Sequence, residues 1–298
     1  MKSGGQRGVA IVMALLLTAL AVSIVAGLFW RQQVQIRLVE NERLRLQAQW
    51  LLRGALSWER QVLADDDRRS AVDYQGEPWS RPLAATMPVT AANGGEAELG
   101  GALVDAQGRF NLANLSDEGQ IDPIATGAFA RLLSGQGING ELAWAVARAI
   151  AATQRGNDAG RPRMRFWQLG DLLAVPGFDA AMVARLRGLV VALPDSTPIN
   201  LNTAPPEVVA ALYNIPLSQA EALVAERARA YFRDGADLAT RSVTRTLPQP
   251  DGQITFSSHY FLARCGVQIG KAELHADALI QRDSGQTWVL WERQGDVS

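Results

Sequence analysis

Few side chains in this sequence could do nucleophilic or metal chemistry. The chain has two histidines, His259 and His275, and one cysteine, Cys265. Each histidine lies in a strand-like stretch without a metal-ligand partner at short spacing and without a nucleophile motif around it. Cys265 precedes a glycine in an apolar stretch, which is typical of a small buried residue. Because the sequence also lacks phosphate-binding, zinc and catalytic carboxylate motifs, we predict that the chain is not an enzyme.

Carboxylates are the remaining candidates for chemistry. Asp65, Asp66 and Asp67 are consecutive, and Asp105 stands alone further along the chain. Carboxylate oxygens are the ligands that calcium prefers, but no complete pattern such as an EF-hand loop surrounds these residues. We therefore predict that no cofactor is required, and we leave calcium open as a ligand whose residues the sequence does not assign.

The longest apolar stretch lies near the N-terminus. From Val9 to Trp30 there is no charge, no proline and one interior glycine, and roughly twenty such residues cross the hydrocarbon core of a bilayer. Helix-forming residues with heptad-like apolar positions then continue to about Leu63. We predict a transmembrane helix over residues 9–30 that continues as a stalk helix to about residue 63. The aspartate run that follows is unfavourable at a helix C-terminus and predicts a loop.

A short basic segment precedes the apolar stretch. Residues 1–8 contain Lys2 and Arg7 and end in Gly8, directly against the apolar residues. A secretory signal peptide would have a shorter apolar core followed by its cleavage motif, so any cleavage is expected before this core. The arrangement resembles the leader of the type IV pilin and pseudopilin families. That resemblance implies that a prepilin peptidase cuts between Gly8 and Val9 and then methylates the new N-terminus at Val9.

Met13 departs from the pattern of those families. It is the fifth residue after Gly8, where they usually have a glutamate that pairs with the N-terminus of a neighbouring subunit. A carboxylate in lipid is costly unless it has such a partner, and a subunit with nothing above it needs the glutamate least. Among pseudopilins, the missing glutamate and the length of 298 residues resemble the protein K family of type II secretion systems.

The rest of the chain divides into strands, helices and strands again. Residues 64–112 contain a proline-rich extended connection over 70–95 and two short strands, 97–104 and 109–112, around a hairpin turn at 105–108. Residues 113–240 are rich in alanine and leucine with helical spacing, so we predict a compact helical domain. The predicted helices are 123–133, 141–152, 168–173, 180–193, 205–213 (capped by Thr203) and 218–231. Residues 241–298 contain a linker over 244–252 and three antiparallel strands, 254–269, 272–281 and 287–293.

These elements predict an α+β fold. The resemblance to the protein K family implies a pilin-like long N-terminal helix packed on an antiparallel sheet, with a large inserted all-α domain of the helix-hairpin-helix or SAM-like type. The insertion separates two parts of the sheet that are distant in sequence.

Helix-hairpin-helix modules often bind DNA, so a membrane-tethered DNA receptor is an alternative. The turn Val175–Phe178 and the segment 199–205 resemble such modules. However, Asp179 replaces the second glycine that would offer its N–H group to phosphate, and acidic residues outnumber arginines over 101–240, where there is no lysine. We expect no nucleic-acid partner. A single-pass anchored protein with a helical interaction domain is the other alternative.

The resemblance implies a minor pseudopilin at the tip of the type II secretion pseudopilus, where it helps to initiate filament assembly and the export of folded proteins across the outer membrane. The implied partners are the other minor pseudopilins of the tip complex, the pseudopilus, the prepilin peptidase and the inner membrane. Secreted proteins and the outer-membrane secretin are further candidates. The chain would be a single-pass protein of the bacterial inner membrane with its C-terminal head in the periplasm.

Overall fold

The computed structural model describes residues 5–88, 96–154, 166–241, 252–270 and 272–296. Its dominant element is one helix, α1 (Gly5–Asp67), whose 63 residues extend about 94 Å at 1.5 Å per residue. The helix leaves the transmembrane segment without a break, as predicted. Its last third packs on a sheet, and the remainder projects away from the head.

Helix α1 ends one turn later than the sequence indicated. We predicted a loop at Asp65–Asp67, but all three aspartates are helical. The prediction was wrong because it counted only the unfavourable dipole at the helix C-terminus. Arg282, which is distant in sequence, places its guanidinium against Asp66 and Asp67 and supplies the missing positive charge.

A five-stranded antiparallel sheet forms the body under α1. The strands of the described chain are β1 (Leu83–Pro88), β2 (Glu96–Asp105), β3 (Phe110–Asn111), β4 (Ser116–Asp117), β5 (Gln120–Ile121), β6 (Val190–Val191), β7 (Ile199–Asn200), β8 (Ile254–Thr255), β9 (Tyr260–Ile269), β10 (Ala272–Asp283) and β11 (Gln286–Asp296). The sheet has the order β1-β2-β9-β10-β11. The three C-terminal strands were predicted, although the first of them starts at Tyr260 instead of residue 254.

Strand β1 was not predicted, because its sequence lies between prolines in a stretch that we interpreted as an extended connection. It pairs with β2 in antiparallel register, from Leu83 opposite Gly101 to Pro88 opposite Glu96. Proline is tolerated there because β1 is an edge strand and one of its sides donates no ladder hydrogen bonds.

The face of the sheet towards α1 forms the core of the body. Residues of α1 at three- and four-residue spacing lie against alternate residues of the strands. Near the transmembrane side this core contains Ala48, Leu52, Leu99, Val267 and Leu274, all buried. Near the end of α1 it contains Leu63, Trp79, Phe261 and Ile280. The prediction that a sheet covers the apolar side of the stalk is confirmed.

The inserted domain leaves the sheet at the end of β2 and returns at the start of β9. It is therefore wider than the predicted range 113–240. Its helices are α2 (Pro123–Gly135), α3 (Leu142–Gln154), α4 (Ala180–Arg185), α5 (Pro206–Tyr213), α6 (Leu217–Arg229) and α7 (Gly235–Thr240), with 3₁₀ turns at Leu112–Leu115 and Leu169–Ala174. A separate core holds them together, centred on Phe129, Leu132, Leu172, Leu201 and Phe232.

Three local predictions for this domain were wrong. The helix predicted over 180–193 ends at Arg185, because Gly188 adopts a positive φ of 86° and turns the chain into β6. The segment 109–112 does not form a hairpin with β2; β3 instead pairs in parallel with β6. Helix α5 begins at Pro206 without a side-chain cap, and Thr203 bonds elsewhere. Most of the predicted linker 244–252 lies outside the described residues.

Candidate functional site

The predicted processing residues lie in the exposed part of α1. The helix begins at Gly5, so Gly8 and Val9 are consecutive helical residues, and Met13 follows one turn later. Val9 and Met13 are 61% and 63% exposed. Within the described residues, α1 is long and apolar enough to cross a membrane, and its most apolar window is not buried by any other part of the chain. Cleavage and methylation at Gly8–Val9 stay predictions.

The stalk part of α1 carries a second face that is apolar apart from Arg43, and we call its apolar residues the outer seam: Ile36, Val39, Leu46 and Trp50. These residues follow at spacings of three, seven and four, whereas Ala48, Leu52 and Ala55 pack on the sheet. At 100° per residue the two sets lie about 180° apart on the helix. Trp50 is 69% exposed, and the Arg53 guanidinium lies 5.4 Å from the centre of its ring. The stalk therefore presents an unburied apolar surface on the side away from its own sheet.

A buried ion cluster lies at the end of the body furthest from the transmembrane segment. Arg282 donates from Nη1 to Asp66 Oδ2 at 3.0 Å and from Nη2 to both carboxylate oxygens of Asp73 at 2.7 and 2.6 Å. Its Nε lies 3.3 Å from Asp67 Oδ1. Burial, with the nearby carboxylates of Glu77 and Asp73, raises the pKa of Asp66 to about 7. One guanidinium thus serves several carboxylates, and their mutual repulsion favours a retained proton.

A buried polar network joins this cluster to the inserted domain. Asn200 Nδ2 donates to the Asp73 carbonyl oxygen, to Asp105 Oδ2 and to Ser258 Oγ, at distances of 2.9–3.0 Å. Thr203 and Ser258 donate their hydroxyls to the same Asp105 oxygen at 2.6 and 2.7 Å. Burial raises the pKa of Asp105 to about 6, although these donors lower it. The insertion is therefore fixed to the body by bonds in the interior.

Two of the aspartates that the sequence offered to calcium, Asp66 and Asp105, already have partners within the chain. Asp66, Asp73 and Glu77 have carboxylate oxygens within 4.8 Å of one another. However, the Arg282 guanidinium already lies between Asp66 and Asp73, and Glu77 accepts hydrogen bonds from Trp79 Nε1 and the Tyr74 amide. Asp105 is occupied by three donors of the polar network. A resident cation would have to displace these groups.

Glu59 is a buried carboxyl that sequence reasoning missed. It lies on α1, is 1% exposed, and accepts a hydrogen bond from Cys265 Sγ at 3.1 Å. Its Oε1 has no hydrogen-bond partner and occupies the space beside Gly101, where a Cβ would lie only 2.7 Å away. Burial raises the pKa of Glu59 to about 7 and that of Cys265 above its usual range. Cys265 is buried, as predicted, but it also serves as the hydrogen-bond donor of this pair.

The two histidines lie in different parts of the sheet, and His259 adjoins the ion cluster, with its Nδ1 3.1 Å from the Arg282 carbonyl oxygen. The backbone amide of His259 donates a hydrogen bond to Gln107 Oε1 just before β9, while His275 lies on β10, with Nε2 3.0 Å from Glu273 Oε1.

The sequence did not single out Arg282, Asn200 and Glu59, because each looks like an ordinary polar residue in its own segment. The sequence gives one local indication. Glu59 and Arg282 each lie among apolar residues, at positions where the periodicity of the helix or strand predicts a buried side chain.

Comparison with known proteins identifies the family. Two family models described as "Type II secretion system (T2SS), protein K" match residues 108–195 and 199–257, which lie within the inserted domain. The chain is 30% identical over 304 residues to the type II secretion system protein K of Pseudomonas aeruginosa, covering 93% of this chain and 89% of that protein. This chain belongs to the type II secretion system protein K family. The protein K of Pectobacterium carotovorum is 29% identical, covering 97% of this chain and 96% of the relative.

A solved structure shares the fold. The chain is similar to a chain in the crystal structure of the GspK-GspI-GspJ complex from the enterotoxigenic Escherichia coli type 2 secretion system, with a TM-score of 0.68 and 20% identity. The match covers 86% of this chain and 99% of that chain. The α+β, pilin-like fold expected of a protein K member is therefore confirmed, and the apolar N-terminal helix fits a membrane anchor. The family forms a structural part of the secretion system; that this chain is not an enzyme stays a prediction.

Proposed function

We propose that this protein is a minor pseudopilin at the tip of a type II secretion pseudopilus, where it initiates filament assembly and supports export of folded proteins across the outer membrane. The observation that carries the proposal is the place of the inserted domain. It joins the body through Asp105, Asn200 and Ser258, beside the C-terminal end of α1. The insertion thus covers the end of the body that points away from the transmembrane segment, where a further subunit would otherwise stack.

The opposite end of the molecule suits assembly. The transmembrane segment and the outer seam leave apolar residues unburied along the part of α1 that precedes and enters the head. A helix from another subunit can cover the outer seam, which removes apolar area from water, and can pack against the transmembrane segment within the bilayer by van der Waals contact. The structural neighbour was crystallised in a complex with GspI and GspJ, so their counterparts in the same bacterium as this chain are the proposed partners. The head would lie in the periplasm and the anchor in the inner membrane.

Processing of the N-terminus is the first test. In cells that carry a prepilin peptidase, the N-terminal peptide of the isolated protein should begin with methylated Val9 by mass spectrometry. An intact Met1, or cleavage beyond Trp30, would contradict the pseudopilin role and return α1 to an ordinary anchor or signal.

Met13 tests the tip position separately. If no subunit lies above this one, Met13→Glu leaves filament initiation and secretion close to the wild-type level, because no neighbour depends on that position. Secretion of a folded exoprotein is measured in a strain that carries the variant as its sole copy. Loss of secretion, with normal processing and normal protein level, would place the subunit inside the filament instead.

A further inference from the structure

Arg43 lies in the middle of the face that carries the outer seam. When Arg43 is included, the residues of this face follow at spacings of three, four, three and four, which is the heptad spacing of helices that pack side by side. At 100° per residue, Arg43 lies about 40° from Val39 and about 20° from Trp50 around the helix. A helix that covers the outer seam therefore covers Arg43 as well.

The position of the outer seam on α1 defines what can cover it. The seam extends about 21 Å from Ile36 to Trp50, and it begins within two turns of Trp30, where the transmembrane segment ends. Subunits that are anchored in one membrane by their own N-terminal helices have parallel stalks. The seam therefore fits a parallel helix of a neighbouring subunit, and this contact is continuous with the contact between the two transmembrane segments.

The charge of Arg43 has no partner within the described part of the chain. Its side chain is exposed, and neither Glu40, one turn earlier, nor any other described carboxylate forms an ion pair with it. Further along α1, by contrast, Arg60 donates to the Thr287 carbonyl oxygen. A helix that covers the seam removes Arg43 from water, which is unfavourable unless that helix brings an acceptor of opposite charge.

We propose that Arg43 is the specificity-determining residue of the outer seam, and that the seam binds the stalk helix of a different pseudopilin with an aspartate or glutamate opposite Arg43. One charged residue in an otherwise apolar seam selects the partner and fixes the register, at some cost in affinity. A helix that is apolar at this position would leave the guanidinium buried without a partner. The inference rests on the proposed function, because it takes the partner from the same assembly.

A second copy of this chain is a poor partner for the same seam. In a parallel pair in register, the two Arg43 side chains face one another, and like charges at close range are unfavourable. Glu42 of the second copy would lie at the rim of such a pair, where an exposed ion pair contributes less than about 1 kcal/mol. Arg43 thus disfavours self-association and leaves the seam to a different subunit.

Self-association gives the first measurement. Arg43→Leu completes the apolar seam, so the purified full-length variant in detergent should self-associate about tenfold or more tightly than the wild type. Arg37→Leu is the matched control, because Arg37 is exposed on the same helix about 120° away from Arg43, and it should leave self-association within about twofold. Analytical ultracentrifugation measures the equilibrium, and circular dichroism with thermal melting establishes that both variants fold as the wild type. Equal self-association of Arg43→Leu and the wild type would overturn the inference.

Binding to the counterparts of GspI and GspJ from the same bacterium gives the second measurement. Arg43→Glu should weaken the complex by about tenfold or more, because it places two carboxylates opposite one another. When the acidic residues of the partner's stalk are changed to arginine one at a time, one change should restore binding to this variant. Wild-type affinity with Arg43→Glu, or no restoring change, would overturn the inference and leave the proposed function in place. No complex with the wild-type protein would overturn both.

Discussion

At the scale of single residues, the head contains several carboxyls that are buried without full compensation. Glu59 has one oxygen without a partner, and Asp66 shares one guanidinium with other carboxylates. Burial disfavours the charged form of each, so their pKa values rise towards neutrality. A folded-state pKa above the ordinary value means that folding favours the protonated form. The associated stability is complete below the ordinary pKa and is lost as the pH rises through the folded-state value.

Glu59 gives the first prediction at this scale. The free energy of unfolding should fall as the pH rises from about 5 to about 8, because ionised Glu59 is disfavoured in the folded head. Glu59→Gln removes this ionisation, so it should reduce the pH-dependent loss by about 2 kcal/mol. Urea denaturation of both proteins at each pH measures the difference. An equal pH dependence of the unfolding free energy in the two proteins would contradict this prediction. It would mean that ionised Glu59 does not destabilise the folded head, or that other carboxyls cause the pH dependence.

Arg282 gives the second prediction at this scale. Arg282→Met removes the cation and leaves Asp66 and Asp73 buried without their partner, so we expect a loss of about 3–5 kcal/mol in the free energy of unfolding. Arg264→Met is the control, because the Arg264–Asp277 pair is exposed and should cost less than about 1 kcal/mol. Equal losses in the two variants would contradict the central role of Arg282. If calcium were bound among these aspartates, a chelator would also destabilise the wild type.

At the scale of elements, α1 performs two tasks on opposite faces. Ala48, Leu52 and Leu63 hold it to its own sheet, whereas the outer seam remains available to another subunit. That second face is apolar apart from Arg43, which is exposed. Because the apolar residues of the outer seam are exposed, they contribute little to the stability of the isolated head and are available to the proposed partners.

Trp50 tests this division. Trp50→Ala should leave the melting temperature unchanged, because the side chain is mostly exposed, but weaken binding to the partner subunits by about tenfold or more, as loss of an aromatic anchor does. Trp288→Ala is the matched control, since Trp288 is also an exposed tryptophan and lies on β11, outside the outer seam. Co-purification of the partners with each variant provides the measurement. An equal effect of the two substitutions would argue against the outer seam as an interface.

At the scale of the whole molecule, the inserted domain and the body share a polar interior. Asp73 and Asp105 come from the body, whereas Asn200 and Thr203 come from the insertion, and Ser258 lies at the return to the sheet. Because these groups are buried, water does not replace a hydrogen-bond partner that is lost. Separation of the two parts would therefore expose several of the groups or leave them without a partner. The head should therefore unfold as one unit in spite of its two apolar cores.

Asn200 tests this coupling. Asn200→Ala removes the side-chain NH2 group that lies within hydrogen-bond distance of the Asp73 carbonyl oxygen, Asp105 and Ser258, and it should lower the free energy of unfolding by about 2–3 kcal/mol. It should also separate the single transition into two, as seen by calorimetry, because the two cores would then melt independently. Asn139→Ala, at an exposed position with one local side-chain bond, is expected to leave both properties nearly unchanged. Two transitions in the wild-type protein would show that the junction does not couple the domains.

The sequence by itself determined the elements that depend on local pattern. Twenty-two uncharged residues specify a membrane helix, three- and four-residue spacing specifies the buried face of the stalk, and the alternation after residue 260 specifies strands. Predictions from the local sequence were wrong where the interacting residue is distant in the chain. The aspartates at 65–67 look like the end of a helix until Arg282 lies beside them, and Thr203 looks like a cap until Asp105 accepts its hydrogen bond.

The tertiary structure alone decided how distant segments share charges and space. Strand register brings Gly100, Gly266 and Gly295 into one row, although each glycine alone has no meaning in the sequence. It also buries Glu59 beside Gly101. The physical reason is that a pKa, an ion pair or a groove depends on what surrounds a group in three dimensions, whereas periodicity reports only which side of its own element a residue occupies.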